Sequence, residues 1–305
     1  MINLKGVGVA LVTPFNEEKE INFAEFENVV NYVIEGGVDY VVVLGTTGES
    51  VTLNKKEKQD LINSCVSVTN KRVPVIAGFG GNDTRSIIDD INHADLKGVD
   101  GILSVSPYYN KPTQEGIYEH YKAISKNTDL PIILYNVPGR TASNIRASTT
   151  LQLAHDFKNI IAIKEASNDW MQIFWLAREK PEDFLLISGN DDLIVPQISI
   201  GYDGVISVIA NATPKEFSAM VHQALNGDFE SARKTVYQLD ELITFLFEQG
   251  NPAGVKAAMK HLGICDDHVR LPLMPVNTEL RNKIAQKLIG LNKEMKSLVN
   301  EHLVK

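Results

Sequence analysis

The sequence predicts an α/β protein, a (β/α)8 barrel followed by a C-terminal helical extension. Three features of the 305-residue chain lead there. Short runs rich in β-branched residues and bounded by turn residues occur eight times, at 7–13, 40–44, 73–78, 101–104, 132–135, 160–164, 184–188 and 204–207. Their starts lie about 20 to 33 residues apart, which suits parallel strands joined by crossover helices and is too long for hairpins. The stretches between them have helical periodicity; Phe23, Phe26, Val29, Val30, Val33 and Ile34 all fall on one face. An open doubly wound sheet has the same local pattern, so the count of eight is what favours a closed TIM barrel, slightly compact against the usual ~250 residues.

Taken in order, the first strand is the apolar run from Val7 that stops at Thr13-Pro14, where the imino acid has no N–H to offer a ladder. The second, Tyr40-Val41-Val42-Val43-Leu44, is apolar on both faces, as expected when one packs inside a barrel and the other against helices. It runs into Gly45-Thr46-Thr47-Gly48-Glu49-Ser50, the fourth leads to Pro107-Tyr108-Tyr109-Asn110, and the fifth continues through Tyr135-Asn136-Val137-Pro138-Gly139-Arg140-Thr141. The sixth ends at Lys164 and the seventh at Ser188-Gly189-Asn190-Asp191. Beyond Pro214 only helical segments follow, at 215–225, 229–248, 252–262 and 278–304. The expected division is a catalytic barrel, 1–213, and a helical region, 214–305.

Composition narrows the function. Hydrophobic residues make up 44% and charged residues 22%, enough to pack a core and unlike a disordered chain. Thirty basic against 38 acidic residues give a net charge of −8, which disfavours a protein built to grip nucleic-acid phosphates. Cys65 and Cys265 have no CxxC partner and read as reduced core thiols. The apolar run near the amino terminus is too short for a signal peptide, and no stretch reaches the ~18 apolar residues of a membrane helix, so a cytoplasmic protein is expected. The seven histidines show no paired metal-ligand spacing, which disfavours a metal-dependent aldolase. Gly6-Val7-Gly8 lacks the third glycine of a dinucleotide fingerprint, and Gly45–Ser50 lacks the Walker lysine; a small carboxylate suits its backbone N–H groups and hydroxyls better.

In a barrel the active site lies at the carboxyl ends of the strands, so polar residues there carry weight. Strand alternation puts Ala162 and Lys164 on one face and Ile161 and Ile163 on the other, which aims Lys164 into the barrel mouth. Burial disfavours a charged amine, and the neutral amine is what attacks a ketone to form a Schiff base. The competing reading is a lysine that snorkels out or pairs with Glu165. By the same parity Tyr135 shares the inward face with Ile133, one strand from Lys164. There a phenol shuttles protons if a neighbour such as Thr46 or Tyr109 relays them; otherwise it fills a barrel layer. Arg140, in a tight turn after the fifth strand, is either a clamp for a substrate carboxylate or an exposed loop arginine.

Together, Gly45–Ser50, Tyr108-Tyr109-Asn110-Lys111-Pro112, Tyr135–Thr141 and Ile163-Lys164-Glu165-Ala166 resemble the dihydrodipicolinate synthase family. The likeness runs in order from Val12-Thr13-Pro14 through Gly204-Val205-Ile206-Ser207 to Asn251-Pro252 and Leu271-Pro272-Leu273. The wider relatives are pyruvate-dependent class I aldolases, including N-acetylneuraminate lyase. The resemblance implies a lyase that condenses pyruvate with L-aspartate 4-semialdehyde in diaminopimelate and lysine biosynthesis, with no cofactor and no metal. It implies that Lys164 forms the imine and that Thr46, Tyr135 and Tyr109 relay protons. Tyr109 would come from a neighbouring subunit of a tight dimer, two of which form a homotetramer. Thr47 and the Gly48 backbone would hold the pyruvate carboxylate, Gly189 and Ile206 would line the pocket, and Arg140 would bind the semialdehyde. The Pro-Gly-Arg-Thr turn suits that short acidic acceptor better than a sialic acid chain. Ser50, Val51, Asn82 and Tyr108 match a lysine feedback site, but Lys58 stands where sensitive forms carry histidine and Ser86 where they carry glutamate. A gained cation and a lost carboxylate both weaken a site for a cationic ligand, so weak or absent inhibition is expected. Two other readings are a noncatalytic keto-acid sensor, for which the proton relay would be superfluous, and an open-sheet nicotinamide oxidoreductase.

Overall fold

The computed structural model describes residues 2–303. Its eight parallel strands close into a barrel in sequence order. They are β1 (Gly6–Ala10), β2 (Tyr40–Val43), β3 (Val75–Gly78), β4 (Gly101–Val105), β5 (Ile132–Asn136), β6 (Ile160–Glu165), β7 (Leu185–Ser188) and β8 (Gly204–Ser207). The helices around and beyond them are α1 (Phe23–Glu35), α2 (Lys55–Thr69), α3 (Thr84–His93), α4 (Gln114–Ser125), α5 (Pro138–Thr141), α6 (Ala147–Asp156), α7 (Trp170–Glu179), α8 (Ile194–Ile198), α9 (Pro214–Leu225), α10 (Phe229–Glu248), α11 (Ala253–His261) and α12 (Thr278–Leu303). The expected helix end at residue 304 lies outside the described residues.

All eight expected strands are present, with ends moved by local chemistry. β1 stops at Ala10, although Leu11 N still donates to Val42 O at 3.0 Å. β2 stops before Leu44, whose φ of 61° turns the chain out of the ladder. β3 starts after Pro74, which has no donor for a partner strand.

Inward residues, among them Ala10, Tyr40, Val42, Ile76, Leu103, Ile133, Ala162, Ile187 and Ile206, form one buried cluster that fills the barrel. Outward residues such as Ile132, Leu134, Ile160 and Ile163 pack instead against helix faces that include Ile117, Tyr121, Leu153, Ile173 and Leu176. One parity expectation needs correcting. The β5–β6 register slips between Ile132 and Ile133, pairing Ile132 with Ile160 but Ile133 with Ala162. Ile161 is the extra residue of this bulge, and it packs on the barrel-filling cluster rather than sharing the outer face with Ile163. The slip lies below the site, so Ala162 and Lys164 keep their expected inward aim.

α9 packs on β1 and α1 and so closes the helical ring, and α10, α11 and α12 pack on one another beyond it. Several helices start at side-chain caps; α2 has a full capping box, Asn54 accepting from Glu57 N while Glu57 accepts from Asn54 N. At the amino-terminal end of the barrel, Asp39 accepts from Val7 N at 2.7 Å and from His222 Nε2 at 2.7 Å, tying β1 and β2 to α9.

Candidate active site

The register of β5 and β6 sets Tyr135 beside Lys164 and, one residue on, Asn136 beside Glu165. The first pair faces into the barrel mouth and the second faces outward. Lys164 is 5% exposed and Tyr135 7%, and the Lys164 ammonium lies 4.4 Å from the centre of the tyrosine ring. The ring face carries the negative end of the aromatic quadrupole and so favours Nζ at this position. Gly189 completes the floor. A methyl group there would stand 2.5 Å from Ala166 Cβ and 3.2 Å from Lys164 Cε, so the lysine stem occupies the volume that a glycine leaves free.

The alternative pairing of Lys164 with Glu165 is not found. Glu165 accepts from Asn136 Nδ2 at 2.9 and 3.0 Å, from Gln172 Nε2 at 2.8 Å and from Ser167 N at 2.7 Å. Burial pushes this carboxyl above the usual range, and those donors oppose the shift. The network holds the ends of β5 and β6 in the register that places Tyr135 next to Lys164.

Asp191, past the end of β7, has no role assigned by its sequence pattern. It is buried, accepts from Val208 N at 3.0 Å and Ile209 N at 2.9 Å, and binds the loop after β8 to the loop after β7. Burial raises its pKa, opposed by backbone donors, the Ser207 hydroxyl and the charge of Lys164. A carboxylate at the carboxyl end of a barrel strand is the sequence signal that marked it.

The segment after β2 is a tight double turn: a 3-10 turn Thr46–Gly48, then Glu49 in the left-handed region at φ 53°, then a second 3-10 turn Ser50–Thr52. Thr46 is exposed, whereas Thr47 and Gly48 are buried. Thr47 Oγ1 accepts from Asn251 Nδ2 at 3.0 Å, which leaves its own hydroxyl proton free to donate. Gly48 O accepts from Thr13 Oγ1 at 2.7 Å. Asn251, Glu49 and the α11 lysine that holds Glu49 are site-supporting residues that the sequence reading had not assigned.

A cavity of about 660 Å³ is lined by Thr46, Tyr135 and Arg140 and also by Ser50, Val51, Lys58 and Tyr108. Its size is that of a site for a small ligand and its surroundings. Arg140 lies in α5 rather than a simple turn, is exposed, and among the described residues makes no salt bridge. Lys164, Thr47, Gly48, Gly189 and Ile206 do not line this cavity; Ile206 is 1% exposed in the barrel-filling cluster. Tyr109 is 87% exposed with φ 71° and stands outside the cavity. Asn82 also lies outside it, its carbonyl accepting from Asn110 Nδ2 at 3.0 Å, and Ser86 donates to Asp83 Oδ2 at 2.6 Å. Among the described residues no three His, Cys, Asp or Glu side chains converge, and no helix is long and apolar enough to cross a membrane. The two cysteines are free and buried, and burial pushes both thiols up to about 12.

The sequence pattern of the Dihydrodipicolinate synthetase family matches residues 3–290. The chain is 50% identical over 279 residues to the 4-hydroxy-tetrahydrodipicolinate synthase of Flavobacterium psychrophilum, covering 92% of this chain and 95% of that one. It is 48% identical over 291 residues to the enzyme of the same name from Parabacteroides distasonis, covering 95% and 98%. A solved dihydrodipicolinate synthase from Aquifex aeolicus superposes with a TM-score of 0.92 at 40% identity, covering 95% of this chain and 98% of that one.

Proposed function

The chain belongs to the dihydrodipicolinate synthetase family, and from that premise we propose how its residues divide the work of one reaction. It is a Schiff-base-forming lyase of the class I aldolase type that condenses pyruvate with L-aspartate 4-semialdehyde to give 4-hydroxy-tetrahydrodipicolinate, the committed step of diaminopimelate and lysine biosynthesis. The observation that carries the assignment of residues is the buried Lys164 amine over the Tyr135 ring at the carboxyl end of β6.

The amine of Lys164 attacks the pyruvate ketone, and loss of water leaves the imine. Loss of a methyl proton gives an enamine, whose carbon attacks the semialdehyde's carbonyl. The acceptor's own amine then displaces Lys164 from the imine carbon, closing the ring and freeing the lysine. The cycle forms one carbon–carbon bond and one new imine and releases one water with no net oxidation or reduction, so it balances without a redox partner. Tyr135, Thr46 and Tyr109 relay the protons. Thr47, with its unshared hydroxyl proton, and the Gly48 backbone hold the pyruvate carboxylate; Gly189 and Ile206 shape the floor. Arg140, a guanidinium on the cavity wall with no salt bridge among the described residues, takes the carboxylate of the semialdehyde.

The assembly is a homo-oligomer, a tetramer of two tight dimers, working in the cytoplasm. Two features support the oligomer. Tyr109 projects with 87% of its surface free, on a backbone held at φ 71°, and is available to reach a neighbouring subunit. Met171, Phe174 and Trp175 make an exposed apolar stripe on α7, a costly surface for a monomer. Residues 1–213 form the catalytic barrel and 214–305 the helical region, whose first helix doubles as the eighth of the ring. Turnover of pyruvate plus L-aspartate 4-semialdehyde by the parent and by Lys164→Ala tests the assignment: robust activity that collapses in the variant is expected, and a parent that does not turn over this pair overturns it.

A further inference from the structure

The Glu49–Lys256 contact is a fully buried ion pair in a chain whose other ion pairs, among the described residues, keep at least one partner in contact with water. Lys256 Nζ meets Glu49 Oε1 at 2.6 Å, with the two side chains 0% and 1% exposed. The second Glu49 oxygen accepts from Arg270 N at 2.9 Å, and Lys256 Nζ also donates to His268 O at 2.7 Å while lying 4.4 Å from the centre of the Phe15 ring. Every polar atom of the pair is thus taken by a directional partner, drawn from three separate stretches of chain. Burial pushes the Lys256 ammonium down, and the Glu49 charge opposes that shift.

A buried ion pair is a poor source of stability, because desolvation offsets most of its attraction and an apolar pair of similar volume often folds as well. What it supplies is a fixed position. Glu49 directly follows Gly48 and is the left-handed residue between the two 3-10 turns. Neither turn has a side-chain cap of its own, and the carboxylate of Glu49 ties the end of Thr46–Gly48 to α11, beside the Thr13 hydroxyl that holds Gly48 O. Asn251, one helix start away from Lys256, reaches the same turn through Thr47 Oγ1. Arg270 secures the far side, donating to Thr52 O at 3.0 Å and holding Glu57 through two nitrogens.

We propose that Lys256 and Glu49 are positioning residues for the pyruvate carboxylate: their ion pair fixes the Thr46–Gly48 turn to α11, so the C-terminal helices take part in substrate binding without touching substrate. This rests on the reading that Thr47 and Gly48 hold that carboxylate. Loss of the pair lets the turn drift while Arg140, on a different element, keeps its place. The KM for pyruvate therefore rises and the KM for the semialdehyde does not, whereas a merely structural role lowers the active fraction and leaves both KM values alone.

The test is steady-state kinetics and borohydride trapping with pyruvate on the parent, on Lys256→Met, and on the double variant Glu49→Gln with Lys256→Met, which carries no uncompensated buried charge and so folds even where the single variant does not. Expected are a rise of tenfold or more in pyruvate KM, a semialdehyde KM within twofold of the parent, and a matching rise in the pyruvate concentration needed for trapping. A folded variant of either kind with parental pyruvate KM overturns the proposal while the parent's own trapping leaves the Schiff-base reading standing. A parent that traps no pyruvate brings down that reading itself.

Discussion

Gly189→Ala adds one methyl group to the floor of the site, and its consequence is calculable. The new carbon would stand 2.5 Å from Ala166 Cβ and 3.1 Å from Ala166 Cα, just past the end of β6, and 3.2 Å from Lys164 Cε. Apolar carbons rest at about 3.5–4.0 Å, so the shortfall against Ala166 is about 1 Å or more, and Ala166 has no torsion with which to retreat. Either the ends of β6 and β7 spread or the Lys164 stem leaves its place over Tyr135. Overpacking of this sort costs about 1–3 kcal/mol. Added to the reaction barrier, that is a loss of roughly 5- to 160-fold in the rate of imine formation. The assay is the rate of borohydride-trapped adduct formation with pyruvate, with thermal unfolding measured in parallel. The double variant Gly189→Ala with Ala166→Gly removes the closest clash and should recover part of the rate. Trapping at the parental rate with unchanged Tm in Gly189→Ala would refute the claim that the lysine stem fills this space.

Arg140→Ala should raise the KM for the semialdehyde about tenfold, the low end for a hydrogen bond to a charged group since the guanidinium is exposed, and leave the pyruvate KM unchanged; a shift in the pyruvate term instead would assign Arg140 to the other substrate. The Asp39 carboxylate raises the pKa of His222, the larger cause being their hydrogen bond. A raised folded pKa means this contact stabilises fully below the unfolded value near pH 6.5 and fades as pH rises through the folded value. Chemical denaturation midpoints of the parent minus those of His222→Ala should therefore shrink on going from about pH 6 to about pH 8, and a difference that grows would contradict the assignment. L-Lysine should inhibit weakly or not at all, because Lys58 lines the same cavity as Ser50, Val51 and Tyr108 while Ser86 contributes no carboxylate; an inhibition midpoint below millimolar concentration would show the site intact.

The barrel was legible because each strand is a short apolar run with turn residues at its ends, and because the spacing leaves room for one crossover helix each time. The strand ends were less so. Leu44 leaves its ladder by adopting positive φ, which a bulky apolar residue does not advertise, and Ile161 is displaced by a bulge in the pairing of β6 with β5. Lys164 and Tyr135 could be read from inward parity at strand ends, and the parity held because the bulge falls below them. The supports of the Thr46–Gly48 turn could not be read in the same way, since Glu49 and Lys256 are 207 residues apart. A signal was nevertheless present. The helix carrying Lys256 has Ala253, Val255, Ala257, Ala258 and Met259 all buried, and a helix apolar all round is an interior helix, where a lone lysine requires a partner. The outward role of Glu165 was hidden by its place beside Lys164, because adjacent strand residues point to opposite faces and the attractive pairing of opposite charges is sterically denied.

The central claim is that Lys164 is the nucleophile. Incubation of the full chain with pyruvate and borohydride, followed by digestion and mass spectrometry, should place one reduced pyruvyl adduct on the peptide containing Lys164 and none on Lys164→Ala. An adduct on a different lysine, or none in the parent, would contradict it.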